Sequence, residues 1–248
     1  MWTADALASE IAPYAGAVWR VVESQHRVST MRITDTLEEQ QLLEALIEEV
    51  KPVMPAECAG LDYLLATPFR YSPYPMGSRF RRSGQREGAF YAAERVGTAL
   101  AEMAFYRLLF FADSPQTILP SVPAGLTAIR LQVLTRMAID LTRGGLSVDG
   151  EAWRHPFDYG PCQELADLAR NIGVELLRSH SVRDPRGGAN ITLLSPKAFA
   201  RSKPTAQQAW RMLIQPTGVR VWRDGAGGEE FEFTPEDFAA DPRLPRAV

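Results

Sequence analysis

One carboxylate stands alone in an apolar run. Glu102 is the only acidic residue between Val96 and Ala112, where its neighbours are mostly Ala, Leu, Met and Phe. A carboxylate at the edge of an apolar face is costly unless it is paired or used, so Glu102 is a candidate for charge-stabilising chemistry. The competing reading is electrostatic: in a helix starting near Thr98, Glu102 sits in the first turn, where the macrodipole favours a negative charge. Upstream, Arg79, Arg81, Arg82 and Arg86 cluster in a Gly/Ser-containing turn. Such a turn can cradle a pyrophosphate with paired guanidinium donors, or it can be a solvated basic loop. Tyr91, just after Phe90, is either core or a stacking platform. Ser181 has His180 and Arg183 nearby, but adjacent strand residues point to opposite faces, so Ser181 and His180 make no triad. No GxSxG elbow occurs.

Several chemistries are disfavoured. There is no GxGxxG and no GxxxxGK[ST], so Rossmann and P-loop nucleotide binding are not indicated. Cys58 and Cys162 are far apart, and His26, His155 and His180 form no cluster with them, so no metal site is expected. A formal charge of −3 gives no electrostatic footprint for a nucleic-acid backbone. The leading segment MWTADALASEIAPYAGAVWR has no basic stretch before an apolar core, so it does not read as a secretory signal. The most apolar stretch, Met103–Ala112, is interrupted by Arg107 and is too short to span a bilayer. A soluble, cytoplasmic chain without membrane contact is expected.

The elements that must position these residues follow from periodicity. Residues 17–23 are β-branched and aromatic and predict a strand. Asp35–Val50 predicts an acidic amphipathic helix with Asp35 as N-cap, stopped by Pro52. Prolines 52, 55, 68, 73 and 75 punctuate the next stretch. A short strand at Phe90–Ala93 leads into a helix from about Thr98 to Phe111, with Val96, Leu100, Met103, Arg107 and Phe110 along one side. Residues 128–134 predict a strand followed by a helix or turn at 136–141, and Gln163–Leu177 predicts a second helix. A strand, a Gly/Pro turn and another strand follow, and a β-hairpin covers about 218–234. Hairpins mixed with separate helices argue for an α+β fold rather than a doubly wound sheet.

Three segments taken in order carry a resemblance: GSRF at 77–80, GAFYAAERVGTALAEMAFYR at 88–107 and LLRSHSVRDPRGGANITLLSPKAF at 176–199. Together they resemble the RES domain, a family named for its Arg, Glu and Ser, over roughly residues 15–200. The resemblance implies one RES-type domain over 1–248 with an ADP-ribosyltransferase-like split mixed β-sheet and flanking helices. A helical acidic insertion at about 35–66 and the C-terminal hairpin lie outside the pattern. It also implies a toxin that depletes NAD⁺ by cleaving the nicotinamide–ribose bond, with inorganic phosphate as co-substrate and ADP-ribose-1″-phosphate as product. Carried over by motif, Glu102, Arg79 and Ser181 are the expected catalytic positions, with Arg70, Arg20 and Tyr91 binding the substrate. Arg70 is favoured slightly over Arg20 as the first active-site arginine. A cognate Xre-like antitoxin and a homodimer are the implied partners. The alternatives are an ADP-ribosyltransferase acting on a macromolecule and a non-catalytic nucleotide-binding paralogue.

Overall fold

The computed structural model describes residues 2–24, 33–70, 76–114, 116–225 and 228–244. His26, Pro73 and Pro75 lie outside the described residues. In chain order the elements are α1 (Ala4–Ala8), β1 (Ala12–Glu23), α2 (Leu37–Val50), α3 (Tyr63–Ala66), β2 (Phe90–Ala93), α4 (Val96–Ala112) and β3 (Ala124–Asp140). They continue with α5 (Gly150–Arg154), α6 (Gly160–Asn171), β4 (Leu176–His180), β5 (Ala189–Leu193), β6 (Ala206–Gln215), β7 (Gly218–Arg223) and β8 (Glu230–Phe233). This is an α+β fold.

The strands run β1-β2-β5-β4-β3-β6-β7-β8, and β1 also pairs with β3. That extra pairing closes β1, β2, β5, β4 and β3 into a ring, leaving β6, β7 and β8 as a meander along the first half of β3. Only β3 and β4 are parallel, so the sheet is mixed. The ring is split at one seam: β1 meets β2 at the single pair Trp19↔Ala93, whereas β1 and β3 pair over most of their lengths. All five ring strands contribute to one apolar cluster, including Val18, Phe90, Leu131, Leu176 and Ile191.

Helix α4 covers the sheet with its buried side, which runs through Leu100, Ala101, Ala104 and Phe105. That side differs from the sequence-based one, since Phe110 is half exposed. Beneath α4 lie Trp210, Val221, Phe231 and Phe233 of the meander. On the other flank α6 begins at Gly160-Pro161, where proline's missing N–H costs nothing, and it buries Cys162, Leu165, Ala166 and Ala169.

Two sequence-based boundaries change. Residues 136–140 are not a helix or turn: β3 continues to Asp140, held by β1 at Ala138 and by β4 at 138–140, and the turn begins only at Leu141. The second helix ends at Asn171, after which Gly173 in the left-handed region turns the chain into β4. α2 is capped by Thr36 and Glu39 in a reciprocal capping box, not by Asp35, and none of its residues is buried.

Candidate active site

Sheet register places the first site residues. Tyr91 stands opposite Thr192, and Asn190 stands opposite both Ala93 and Ser179. Cross-strand partners share a face, so Tyr91, Asn190, Thr192 and Ser179 point to one side of β2, β5 and β4. A cavity of about 920 Å³ opens on that side, walled by these strands, by β1 and α4, and by the turn at 77–81. Arg20, Arg70, Arg79, Arg81 and Arg183 line it, whereas Glu102 is the only carboxylate on its wall among the described residues.

Glu102 lies in the second turn of α4, since the helix starts at Val96. The macrodipole reading therefore loses its basis, because that effect fades beyond the first turn. The carboxylate is held by two donors on one oxygen: Ser181 Oγ at 2.7 Å and Asn190 Nδ2 at 2.5 Å, both to Oε1. Oε2 has no protein partner among the described residues. A fixed carboxylate with one oxygen occupied and the other unclaimed in a cavity can accept a hydrogen bond from a ligand or stabilise developing positive charge.

Ser181 is 8% exposed and is not on the cavity wall. Its Oγ accepts the backbone N–H groups of Arg183 at 3.2 Å and Asp184 at 3.1 Å while donating to Glu102. All of its bonding capacity serves the 181–184 turn and the carboxylate, so it positions Glu102. His180 is exposed, as strand alternation requires. The turn packs tightly against α4: Thr98 Oγ1 donates to Asp184 Oδ2 at 2.6 Å, and a Cβ on Gly188 would stand 2.0 Å from Thr98 Oγ1. Only glycine allows β5 to begin there.

The turn carrying Arg79 is held from three sides. Gly77 takes a positive φ, and Ser78 and Arg81 exchange backbone bonds across the turn. The Tyr91 hydroxyl bonds Ser78 Oγ at 2.7 Å and accepts the Phe80 N–H at 3.2 Å. From α6, Gln163 donates to Ser78 O and Arg170 to Phe80 O. Burial pushes the Tyr91 phenol up, so it stays neutral and available to both partners. Arg79 itself donates to Trp153 O at 2.8 Å and lies over the Tyr159 ring at 4.6 Å. Neighbouring Cys162 has its thiol pushed up by burial despite Arg79, which makes it a poor nucleophile.

Arg20 extends from β1 beside the seam, donating to Tyr91 O at 3.0 Å and lying over Phe90 at 4.7 Å. Arg70 follows a tight 3-10 turn and is tied to α2 and the segment after it, donating to Pro52 O at 2.6 Å and pairing with Glu48 of α2. Both expected binding arginines thus reach the cavity, from different segments. Arg82 does not: it is paired with Asp167 on α6.

Three residues escaped sequence reasoning. Asn190 holds Glu102 from 88 positions away; its signals were an asparagine inside a strand, where that residue is unusual, and its place in the 176–199 block. Arg183, 2% exposed, lies 3.6 Å over the Phe105 ring and is ion-paired with fully buried Asp241 at 2.6 Å. Tyr159 stands among Arg79, Arg183 and Arg243; burial would raise its phenol, but these cations more than offset that and hold it below its usual value. Among the described residues no cluster of His, Cys, Asp or Glu could hold a metal ion, and no helix is long and apolar enough to cross a membrane.

The RES domain family matches residues 54–215. This chain belongs to the RES-domain family. Five of the six expected site residues fall inside that match; Arg20 of β1 precedes it, and Asp241 follows it. No curated protein matches the chain. A chain in the crystal structure of the M. tuberculosis MbcT–MbcA toxin–antitoxin complex is similar over 95% of this chain and 94% of that one, at 12% identity and a TM-score of 0.46. That likeness is too loose to carry an argument about activity.

Proposed function

We propose that this RES-domain chain is a toxin that depletes NAD⁺ by cleaving its nicotinamide–ribose bond. The fold is read as ADP-ribosyltransferase-like, and the whole chain as one RES-type unit in which Asp241 is ion-paired with Arg183 of the cavity wall. The observation that carries the proposal is Glu102, the lone carboxylate among five cavity arginines, fixed through Oε1 with Oε2 unclaimed.

The chemistry fits those groups. The substrate's pyrophosphate needs cations, and Arg79 with Arg70 and Arg20 supplies them. As the C1″–N bond breaks, its electron pair leaves with nicotinamide and neutralises the pyridinium ring. The ribose becomes oxocarbenium-like, and Glu102 Oε2, accepting from a ribose hydroxyl, stabilises that charge. A phosphate oxygen then forms the new bond to C1″, giving ADP-ribose-1″-phosphate. The family resemblance, rather than geometry, supports phosphate as the nucleophile. No metal enters these steps. Tyr91 holds the Arg79 turn through its hydroxyl and can offer its ring to the nicotinamide. An Xre-like antitoxin over the cavity mouth, in the manner of a toxin–antitoxin pair, belongs to the same proposal.

Product analysis tests it. Incubation of the purified protein with NAD⁺ is expected to yield ADP-ribose-1″-phosphate in phosphate buffer. ADP-ribose alone in both phosphate and phosphate-free buffers would make the chain a hydrolase. Label appearing on a macromolecule would make it a transferase, and tight NAD⁺ binding without turnover a binding protein.

A further inference from the structure

Beyond Glu102 and the arginines, the cavity floor holds three polar atoms with no hydrogen-bond partner among the described residues. They are Ser179 Oγ, Thr192 Oγ1 and Asn190 Oδ1, all buried, on residues that line the cavity. Ser179 and Thr192 are each 1% exposed. An orphaned buried hydroxyl or amide is uncommon, because it loses its bonds to water and gains none in return. Three on one face point to a ligand group that completes them.

Their chemistry is specific. Ser179 and Asn190 are direct cross-strand partners on β4 and β5, and Thr192 is two residues along the same face of β5, opposite Tyr91. The Asn190 amide cannot be turned around, because Glu102 is an acceptor and must face Nδ2. Asn190 Oδ1 is therefore a fixed acceptor that requires a donor. The two hydroxyls can each donate or accept. No guanidinium of the described residues bonds any of these three atoms, so the patch itself is neutral and carries acceptors in excess beside the Glu102 charge. An anionic group is repelled there. Ala93, opposite Asn190, contributes only a methyl group to the same face and leaves room for a flat ring beside Tyr91.

We propose that Ser179 Oγ, Thr192 Oγ1 and Asn190 Oδ1 form a subsite for a primary carboxamide, that of nicotinamide. The carboxamide N–H groups donate to Asn190 Oδ1 and one hydroxyl, and its carbonyl accepts from the other hydroxyl. The subsite rests on the reading that NAD⁺ is cleaved in this cavity, and it adds a selectivity: nicotinamide over nicotinate, and NAD⁺ over its deamidated acid form.

Calorimetric titration of the full-length protein with nicotinamide, nicotinate and ADP-ribose as separate probes tests the subsite. Nicotinamide is expected to bind at least about tenfold more tightly than nicotinate, the discrimination typical of a site that loses one buried hydrogen bond or gains a repulsion. Ser179→Ala combined with Thr192→Val is expected to weaken nicotinamide by on the order of tenfold and to leave ADP-ribose affinity unchanged. Equal affinity for nicotinamide and nicotinate, or no nicotinamide binding, overturns the subsite on the wild-type protein alone. An equal loss of ADP-ribose affinity in the double variant overturns it too, since the hydroxyls would then be only structural. Failure of ADP-ribose to bind the wild-type protein contradicts the NAD⁺ reading instead, and it is read separately from the amide-against-acid comparison.

Discussion

Ser181 Oγ and Glu102 Oε1 lie 2.7 Å apart, and the same hydroxyl accepts the N–H groups of Arg183 and Asp184. The serine thus locks the carboxylate to a turn whose own geometry it sets. Ser181→Ala removes one of two bonds on Oε1 and leaves both the 183 and 184 amides without that acceptor. On the proposed mechanism kcat falls by roughly tenfold, as expected for one charge-assisted hydrogen bond, with KM little changed. Glu102→Gln keeps the shape and removes the charge. Its kcat falls further, on the order of 10²–10³, while its unfolding transition stays near that of the wild type. Steady-state kinetics with denaturant curves on both variants checks the order of the two effects.

Arg79 contacts the cavity but also stacks on Tyr159 and bonds Trp153 O. If its free donors hold the pyrophosphate, Arg79→Ala raises the Kd for NAD⁺ by roughly 10–100-fold, the range for a hydrogen bond to a charged group. Binding measured in the Glu102→Gln background, where turnover is suppressed, reads this directly. An unchanged Kd removes Arg79 from substrate binding.

The buried pair Arg183–Asp241 ties the C-terminal segment to an arginine of the cavity wall. Asp241→Ala strands the Arg183 cation and is expected to destabilise the fold by about 3–5 kcal/mol. The pair also sets a pH dependence. Burial would raise the Asp241 carboxyl, but its bonds from Arg243 and the Arg183 charge prevail and hold it below the usual value. A carboxyl depressed in the folded state stabilises fully above its unfolded value, about 3.9. That stability is lost as pH falls through the lower, folded value. The wild-type advantage over Asp241→Asn is therefore expected to be constant at neutral pH and to shrink below about pH 4. Denaturant curves from pH 7 downward would show it; an advantage independent of pH would rule out the pair as its source.

Gly188 sits where a side chain cannot. With a Cβ 2.0 Å from Thr98 Oγ1 and 2.4 Å from Asp184 Oδ2, Gly188→Ala must push β5 and α4 apart. The expected cost is about 1–3 kcal/mol. Because Asn190 is two residues on, NAD⁺ cleavage is expected to fall more than stability explains. Activity compared at a temperature where both proteins are fully folded separates the two effects.

What could be read from the sequence was local. Glu102 stood out because a lone carboxylate in an apolar helix is conspicuous, and Phe90–Ala93 showed its strand by composition. The α+β class followed from separate helices and hairpins. Residues 136–140 were misread because Arg-Met-Ala-Ile-Asp does not alternate cleanly; their strand is imposed by β1 on one edge and β4 on the other. Ring closure through β1 and β3 joins residues more than 100 positions apart, beyond any periodicity. The pairings of Asn190 and Asp241 were invisible for the same reason: their partners, Glu102 and Arg183, are 88 and 58 positions away.

Nicotinamide release from NAD⁺ by the purified wild-type protein, run beside Glu102→Gln at equal concentration, tests the central claim most directly. The account predicts steady release by the wild type and a rate lower by on the order of 10²–10³ in the variant. No release from folded wild-type protein free of any bound partner, or equal release by both proteins, would contradict it.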